Sequence, residues 1–319
     1  MALKDLLRIS DLTAQDLEVL LDLSDKIHDH PHRHTGLLDG ETVVTYFAKP
    51  STRTRLSFAA AITHLGGVPE VVGPNELQLG RGETIEDTAR VISRFAKAFV
   101  IRTFSDDDVH RFAAAASIPV VNALTDGHHP CQALADLQTL RRHFGWLKGR
   151  RLAYLGDGNN VAHSLMEACA LAGVDVVVAT PPGYEPDPGV VDTAARIAAA
   201  QGSLVVTTHD PRAAVAGAHA IYTDVWVSMG DSEDERAARS RALAPYRVTA
   251  ALMADAEPEA VFLHCLPAHR GEEVEPAVID GPESLVLDQA ENRMHTAQAV
   301  LVALILGELE GSASRAEAV

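Results

Sequence analysis

The segment KPSTRTRLSF, Lys49–Phe58, decides how this chain is read. Three hydroxyls (Ser51, Thr52, Thr54) and two guanidiniums (Arg53, Arg55) crowd five consecutive positions. The apolar run TVVTYFA comes before them, and the Ala-rich amphipathic run RLSFAAAITHLGG comes after. The order is strand, donor-rich loop, helix. A helix N-terminus offers unpaired N–H groups and the positive end of a dipole. Arginine and hydroxyl donors added to it make an anion site, best suited to phosphate. A plainer role fits the same residues: Ser51 or Thr52 caps the helix, beside two solvated arginines. The GxxxxGK[ST] spacing of a nucleoside-triphosphate loop is absent.

Outward from this segment the same rhythm repeats. VPEVVG, AFVIRTF and IPVVNALT read as strands, and GETIEDTARVISRFA, SDDDVHRFAAAAS and QALADLQTLRRHFG as helices. Before them, Thr13 and Asp16 have capping-box spacing, and Leu17, Leu20, Leu21 and Ile27 follow at helical intervals. After a break near Trp146–Gly149 the grammar restarts with GRRLAYLGDG as strand and turn and NVAHSLMEACALAG as helix. VDVVVATP, LVVTTHD, AHAIYTDVW, AVFLHCLP and SLVLDQ read as further strands, PGVVDTAARIAAAQG as a helix and ENRMHTAQAVLVALILGEL as a long terminal helix. Strands alternating with helices predict an α/β protein of two doubly wound domains with mostly parallel sheets. The length of 319 residues agrees with two domains.

Composition narrows the partners. The chain is 47% hydrophobic and 22% charged, an ordinary globular balance, and its 44 acidic against 27 basic side chains leave a net charge of −17. Such a chain has no general attraction to nucleic acid or to an anionic membrane, so a local basic cluster points to a small anion. Three cysteines, Cys131, Cys169 and Cys265, predict a reducing compartment rather than a disulfide framework. The N-terminal stretch lacks a signal-peptide h-region, and AVLVALILGELE is too short to span a bilayer. A cytoplasmic protein is expected.

In open α/β sheets ligands bind beyond the carboxyl ends of the strands. That rule puts KPSTRTR, TFSDDD, TDGHHPCQ, GDGNN, DVWVSMG and HCLPAHRG on one rim. His129 there can donate to a carbonyl oxygen, and Gln132 can pair with an amide; a surface histidine beside a helix-starting proline is the simpler account. GDGNNV meets two glycine positions of a dinucleotide fingerprint, but the third falls on Val161 and the next strand lacks the acidic residue for a ribose. The turn can instead aim Asn159 or Asn160 inward. His264, Cys265 and His269 invite a zinc reading, yet no CxxC exists and no metal is expected. Cys265 can be a catalytic thiol, a site-lining thiol or a packing residue. Asp224 suits an amine-bearing substrate or a plain turn. Arg293, by itself, reads as an exposed helix arginine.

Taken in order, STRTR, HPCQ, DGNN, DVWVSMG and HCLP resemble the aspartate/ornithine transcarbamoylase family over nearly the whole chain. STRTR with HPxQ marks the family in general, while SMG with HCLP points to its ornithine-using members. The resemblance implies a carbamoyl-phosphate-binding domain over 1–146, an ornithine-binding domain over 147–288, and a terminal helix over 289–319 that returns to the first domain. It implies that Ser51, Thr52, Arg53 and Thr54 grip the phosphate, and that Arg102, His129 and Gln132 engage the carbamoyl group, with Arg293 reaching the same ligand. Asn160, Asp224, Ser228 and Met229 match ornithine contacts, and Cys265 and Leu266 line the junction of the substrates. Arg102, His129, Cys265 and Asp224 are the expected catalytic set. Gln78, in QLGRGE, matches a position that a neighbouring subunit supplies, so a homotrimer or a multiple of it is expected, and no cofactor. Ala48 departs from the acidic residue many members carry there, and DSEDERAARSRALAPY after SMG reads as a charged, mobile segment. Competing readings are another acceptor (aspartate, putrescine or an N-acylated ornithine), a nicotinamide-dependent dehydrogenase using GDGNN, and a non-catalytic binding protein on the same fold.

Overall fold

The TVVTYF run forms strand β1, Thr42–Phe47, buried beyond its first residue. The computed structural model of the chain describes residues 3–79, 82–226 and 233–311. β1 lies parallel between β2 (Val68–Val72) and β3 (Ala98–Arg102), and β3 pairs with β4 (Val120–Leu124), giving the order β2-β1-β3-β4. Side chains alternate across a strand. Val44, Tyr46, Phe99 and Ile101 therefore share a face, where α3 (Ile85–Ile92) and α4 (Asp106–Ala115) add Ile92, Val109 and Phe112. Phe99 and Phe112 stack with centroids 4.1 Å apart.

The remaining helices of this unit are α1 (Ala14–Asp29), α2 (Arg53–His64) and the start of α5 (Pro130–Phe144). The capping box at α1 is present: Thr13 Oγ1 accepts from Asp16 N–H at 3.0 Å, and Thr13 N–H donates to the Asp16 carboxylate at 2.8 Å. Asp16 also receives Glu310 and Gly311 N–H groups, so the chain's last described residues are tied to its first helix. The unit comprises Met1–Gln138 and Glu291–Val319. Most of the long helix α12 (Val286–Leu306) thus returns to the first unit, as the fold reading expects.

The second unit, Thr139–Ala290, holds β5 (Arg151–Leu155), β6 (Asp175–Ala179), β7 (Val205–Thr208), β8 (Ala220–Thr223) and β9 (Val261–His264). All pair in parallel, in the order β7-β6-β5-β8-β9. Leu155, Val177, Ile221 and Phe262 belong to one buried cluster with Tyr246 and Val248. The helices are α6 (Asn160–Leu171), α7 (Pro188–Gln201), α8 (Pro211–Val215), α9 (Glu233–Leu243), α10 (Ala250–Ala254) and α11 (Pro276–Ile279).

Two expectations need correction. SLVLDQ is not a strand: Ser284 makes one bridge to Phe262, and helix α12 starts at Val286. A short apolar run has no period of its own, and the helical pattern of the residues after it takes precedence. Within DSEDERAARSRALAPY, Glu233–Leu243 form helix α9. That helix has almost no apolar stripe, so periodicity could not reveal it. Glu233, Asp234 and Glu235 fall in its first turn, where a helix dipole favours them.

Candidate active site

In the first sheet the strand order reverses between β1 and β3. Such a switch point opens a crevice at the carboxyl ends of the strands. β1 runs from Phe47 through Ala48–Thr52 into α2, and β3 ends on Arg102. Ala48 N–H donates to Arg102 O at 2.8 Å, so the donor loop leaves the sheet still attached to it.

Around this point the predicted residues gather. Thr54, fully buried, receives Arg293 Nη2 at 3.1 Å and, more loosely, Arg102 Nη1 at 3.4 Å. Arg293 Nη1 also donates to Gln132 Oε1, and Gln132 Nε2 donates to Asp136 Oδ1 at 2.8 Å. Arg293 is only 3% exposed, against its reading as a surface arginine. Its partners lie on α2 and α5, far away in sequence, and helical position alone cannot show them. Ser51 Oγ accepts from Thr54 N–H at 3.3 Å, while the exposed Thr52 hydroxyl makes no cap bond. Arg53 is half-buried, whereas Arg55 is exposed with its guanidinium 5.5 Å from the Phe47 ring centre. Of the two arginines, Arg53 is the less exposed.

His129 precedes Pro130, the first residue of α5, and its carbonyl accepts from Gln132 N–H at 3.1 Å. The imidazole is buried. Burial first, then the charges of Arg293, Arg102 and Arg53, hold it well below the ordinary value of 6.5. A neutral imidazole can donate a hydrogen bond without adding a fourth cation. Asp106 shapes the preceding turn: it accepts from Thr125 Oγ1 at 2.6 Å and from Gly127 N–H at 3.0 Å. The only sequence signal for Asp106 is the position of SDDD after β3. Cys131 points its thiol at Asn122 O, and burial pushes it up to about 12, so it is an inert packing residue.

The second sheet has its own switch point, between β5 and β8. There GDGNN follows Leu155, and Asp224 follows Thr223. Asn159 caps α6, its Oδ1 accepting from Val161 and Ala162 N–H groups, while its Nδ2 donates to Asp224 Oδ2 at 2.9 Å. Asp224 Oδ1 accepts from Cys265 Sγ at 2.8 Å and Val225 N–H at 2.8 Å. The carboxylate is buried and aimed by three donors. Asn160 is the first residue of α6, and the donor to Asp224 just described comes from Asn159. Gly156 takes φ 141°, and a Cβ on Gly158 would lie 2.3 Å from Pro186 N. Both glycines thus have local reasons that need no dinucleotide. Arg239, which sequence reasoning missed, pairs with Asp157 of this turn and donates Nε to Trp226 O at 2.7 Å. Ser228 and Met229 lie outside the described residues.

Leu266 follows Cys265 with φ 56° and donates its N–H to His264 Nδ1 at 2.8 Å. Asp224, His264 and Cys265 bring potential ligand atoms within 4.8 Å of one another. His264 Nδ1 is already taken by the Leu266 N–H, however. Gln78 is exposed.

Each parallel unit thus gathers polar side chains at its own switch point: Thr54, Arg102, Gln132 and Arg293 in the first, and Asn159, Asp224 and Cys265 in the second. Residues 4–142 match the carbamoyl-P binding domain of aspartate/ornithine carbamoyltransferase, and residues 148–304 match its Asp/Orn binding domain. The chain is 53% identical over 311 residues to the ornithine carbamoyltransferase of Parafrankia sp. (strain EAN1pec), covering 96% of this chain and 97% of that one. It is 52% identical over 295 residues to that of Acidothermus cellulolyticus, covering 92% and 94%. The structure of ornithine carbamoyltransferase from Pyrococcus furiosus matches with a TM-score of 0.91 at 48% identity, covering 97% of this chain and 99% of the other. The chain belongs to the aspartate/ornithine carbamoyltransferase family.

Proposed function

We infer that this chain transfers the carbamoyl group of carbamoyl phosphate to the δ-amine of L-ornithine, giving L-citrulline and phosphate. The observation that carries the reading is the convergence of Arg102, Gln132 and Arg293, with Thr54, beside a buried neutral His129. In this reading Ser51, Thr52, Arg53 and Thr54 hold the phosphate. Arg102, His129 and Thr54 receive the oxyanion as the amine nitrogen bonds to the carbamoyl carbon. The carbon–oxygen bond to phosphate then breaks, and the leaving dianion stays against Arg53 and the N-terminus of α2. Losing one such donor costs about 3 kcal/mol in the barrier. Fixing both reactants in attack geometry supplies much of the rest.

Asn160, Asp224, Ser228 and Met229 take the ornithine side, with Cys265 and Leu266 next to the reacting amine. A free alkylammonium has a pKa of about 10.4, so on the order of 1 in 1,000 is neutral at pH 7. Asp224, buried and hydrogen-bonded to Cys265, is placed to attract that ammonium and draw off its proton. An aspartate acceptor would need cations for its second carboxylate, and Asp224 and Asn159 offer none.

Arginine biosynthesis in the cytoplasm is the setting we favour, and no helix among the described residues is long and apolar enough to cross a membrane. A homotrimer in which Gln78 serves a neighbouring site is supported by the exposure of Gln78 and of Leu56, Val91 and Phe95 on the first unit. The test is citrulline formation from carbamoyl phosphate and ornithine, with aspartate, putrescine and N-acetylornithine run in parallel. Selective turnover of ornithine supports both sites. Turnover of another acceptor keeps the cradle and overturns the acceptor assignment.

A further inference from the structure

The parallel strands of the second unit share a direction, so their two ends differ. Asp224 and Cys265 follow the carboxyl ends of β8 and β9. At the amino ends, a cleft of about 450 Å³ is lined by residues that lead into β5 and β9. Phe144, Trp146 and Arg150 come from the stretch before β5, Glu259 from the stretch before β9, and Glu283 from the turn before α12. All of them belong to the second unit.

Arg150 is half-buried there. Its guanidinium stands 4.5 Å from the Phe144 ring centre and 4.9 Å from that of Trp146. Two aromatic contacts hold a planar cation in place and leave its N–H edge to donate. Among the described residues no hydrogen bond or ion pair takes that edge. Nε is shielded without a partner, so the Nη groups are the donors it has to offer. A guanidinium held in this way suits a carboxylate or phosphate gripped by two parallel N–H bonds. Glu259 and Glu283 line the same cleft, yet neither pairs with it.

Charge decides between those two anions. Beside the imidazole of His143, the cleft holds one guanidinium and two carboxylates, in a chain whose net charge is −17. A phosphate would meet two like charges. The complement is a molecule with one carboxylate and two cationic groups joined by a short apolar chain. Trp146, 64% exposed, offers that chain a ring to lie against. We propose that this cleft binds a basic α-amino acid, its carboxylate on Arg150 and its two cationic groups on Glu259 and Glu283. None of these residues serves the acceptor site, and the cleft lies at the other end of the strands that carry Asp224 and Cys265.

The test titrates the full chain with L-lysine and L-arginine, by calorimetry and by tryptophan fluorescence. The chain has two tryptophans, the exposed Trp146 and the buried Trp226. Both amino acids are expected to bind with Kd of about 1 mM or below. Agmatine lacks the carboxylate and L-norleucine the side-chain cation, and each is expected to bind at least about tenfold more weakly. Arg150→Gln is expected to weaken L-arginine about tenfold or more, and Glu259→Gln combined with Glu283→Gln about tenfold. Asp224→Asn removes the acceptor-side charge and should leave this binding unchanged. Trp146→Phe keeps a ring, so it should retain the heat of binding and lose the fluorescence change. Urea midpoints near the parent's show that each variant is folded. If Arg150→Gln is not, the exposed pair Glu259 and Glu283 still decides. No binding up to about 10 mM overturns the proposal. So does binding that disappears in Asp224→Asn, or that survives the paired glutamate substitutions undiminished, because the amino acid then sits elsewhere. Agmatine as tight as L-arginine removes Arg150 from the site and overturns it equally.

Discussion

Arg293 and Thr54 stand 239 positions apart and share a hydrogen bond of 3.1 Å inside the first unit. The guanidinium is forked, one nitrogen on Thr54 and another on Gln132. A planar fork cannot be copied by a point charge on a flexible stem. Arg293→Lys is therefore expected to lower kcat/KM for carbamoyl phosphate by about 100-fold, roughly 3 kcal/mol of transition-state stabilisation. Steady-state kinetics at saturating ornithine would check this, and a loss under about threefold would remove Arg293 from the machinery.

Asn159 does two jobs that substitution can separate. Its oxygen caps α6 and its nitrogen aims Asp224. Asn159→Ala forfeits both, at about 1 kcal/mol of stability for the cap together with a raised KM for ornithine. Asn159→Asp keeps the cap but sets a second carboxylate against Asp224. Its stability is expected to remain near the parent's while ornithine KM rises at least as much as in the alanine variant. Equal ornithine KM in parent and Asn159→Asp would reduce Asn159 to a cap.

His129 carries a pH signature that follows from its burial among arginines. In the unfolded chain an imidazole takes up a proton as pH falls through 6.5, whereas in the folded protein it stays neutral to much lower pH. Below 6.5 the unfolded state binds more protons, so stability falls as pH drops, by up to about 1.4 kcal/mol per pH unit from this residue. Above 6.5 the residue adds no slope. Urea unfolding from about pH 6.5 to about pH 5 should give His129→Asn a flatter dependence than the parent by roughly that amount. Identical slopes would contradict the buried neutral ring.

Much of this is legible in the sequence, and the parts that are not share a cause. STRTR could be placed because a strand pattern, polar donors and a helix pattern follow one another locally, and β1 and α2 bear that out. The parallel α/β class followed from alternating periods along the chain. By itself Arg293 reads as exposed because its burial depends on α2 and α5, which no local pattern reports. SLVLDQ reads as a strand because its three apolar residues suit either period. Helix α9 was hidden because its residues are nearly all polar, and what ties it down, Arg239 on Asp157 and Trp226, is a tertiary contact.

The glycines of GDGNN give the last prediction, because the sequence offers two explanations for them. A dinucleotide site would want Gly158 for backbone approach to a pyrophosphate. The structure instead brings the protein's own backbone to it: a Cβ there would stand 2.3 Å from Pro186 N and 2.5 Å from Glu185 C. Neither atom is the free end of a side chain, so the 185–186 segment must move or the turn must. Gly158→Ala is expected to cost about 1–3 kcal/mol of stability by overpacking. It should also raise ornithine KM, because Asn159 begins one residue later and holds Asp224. Carbamoyl phosphate, held by residues of the other unit, should bind as in the parent. Urea midpoints with separate KM values for the two substrates would check all three. A variant as stable as the parent, with ornithine kinetics unchanged, would show that nothing presses on Gly158, and would reopen the question of why a glycine stands there.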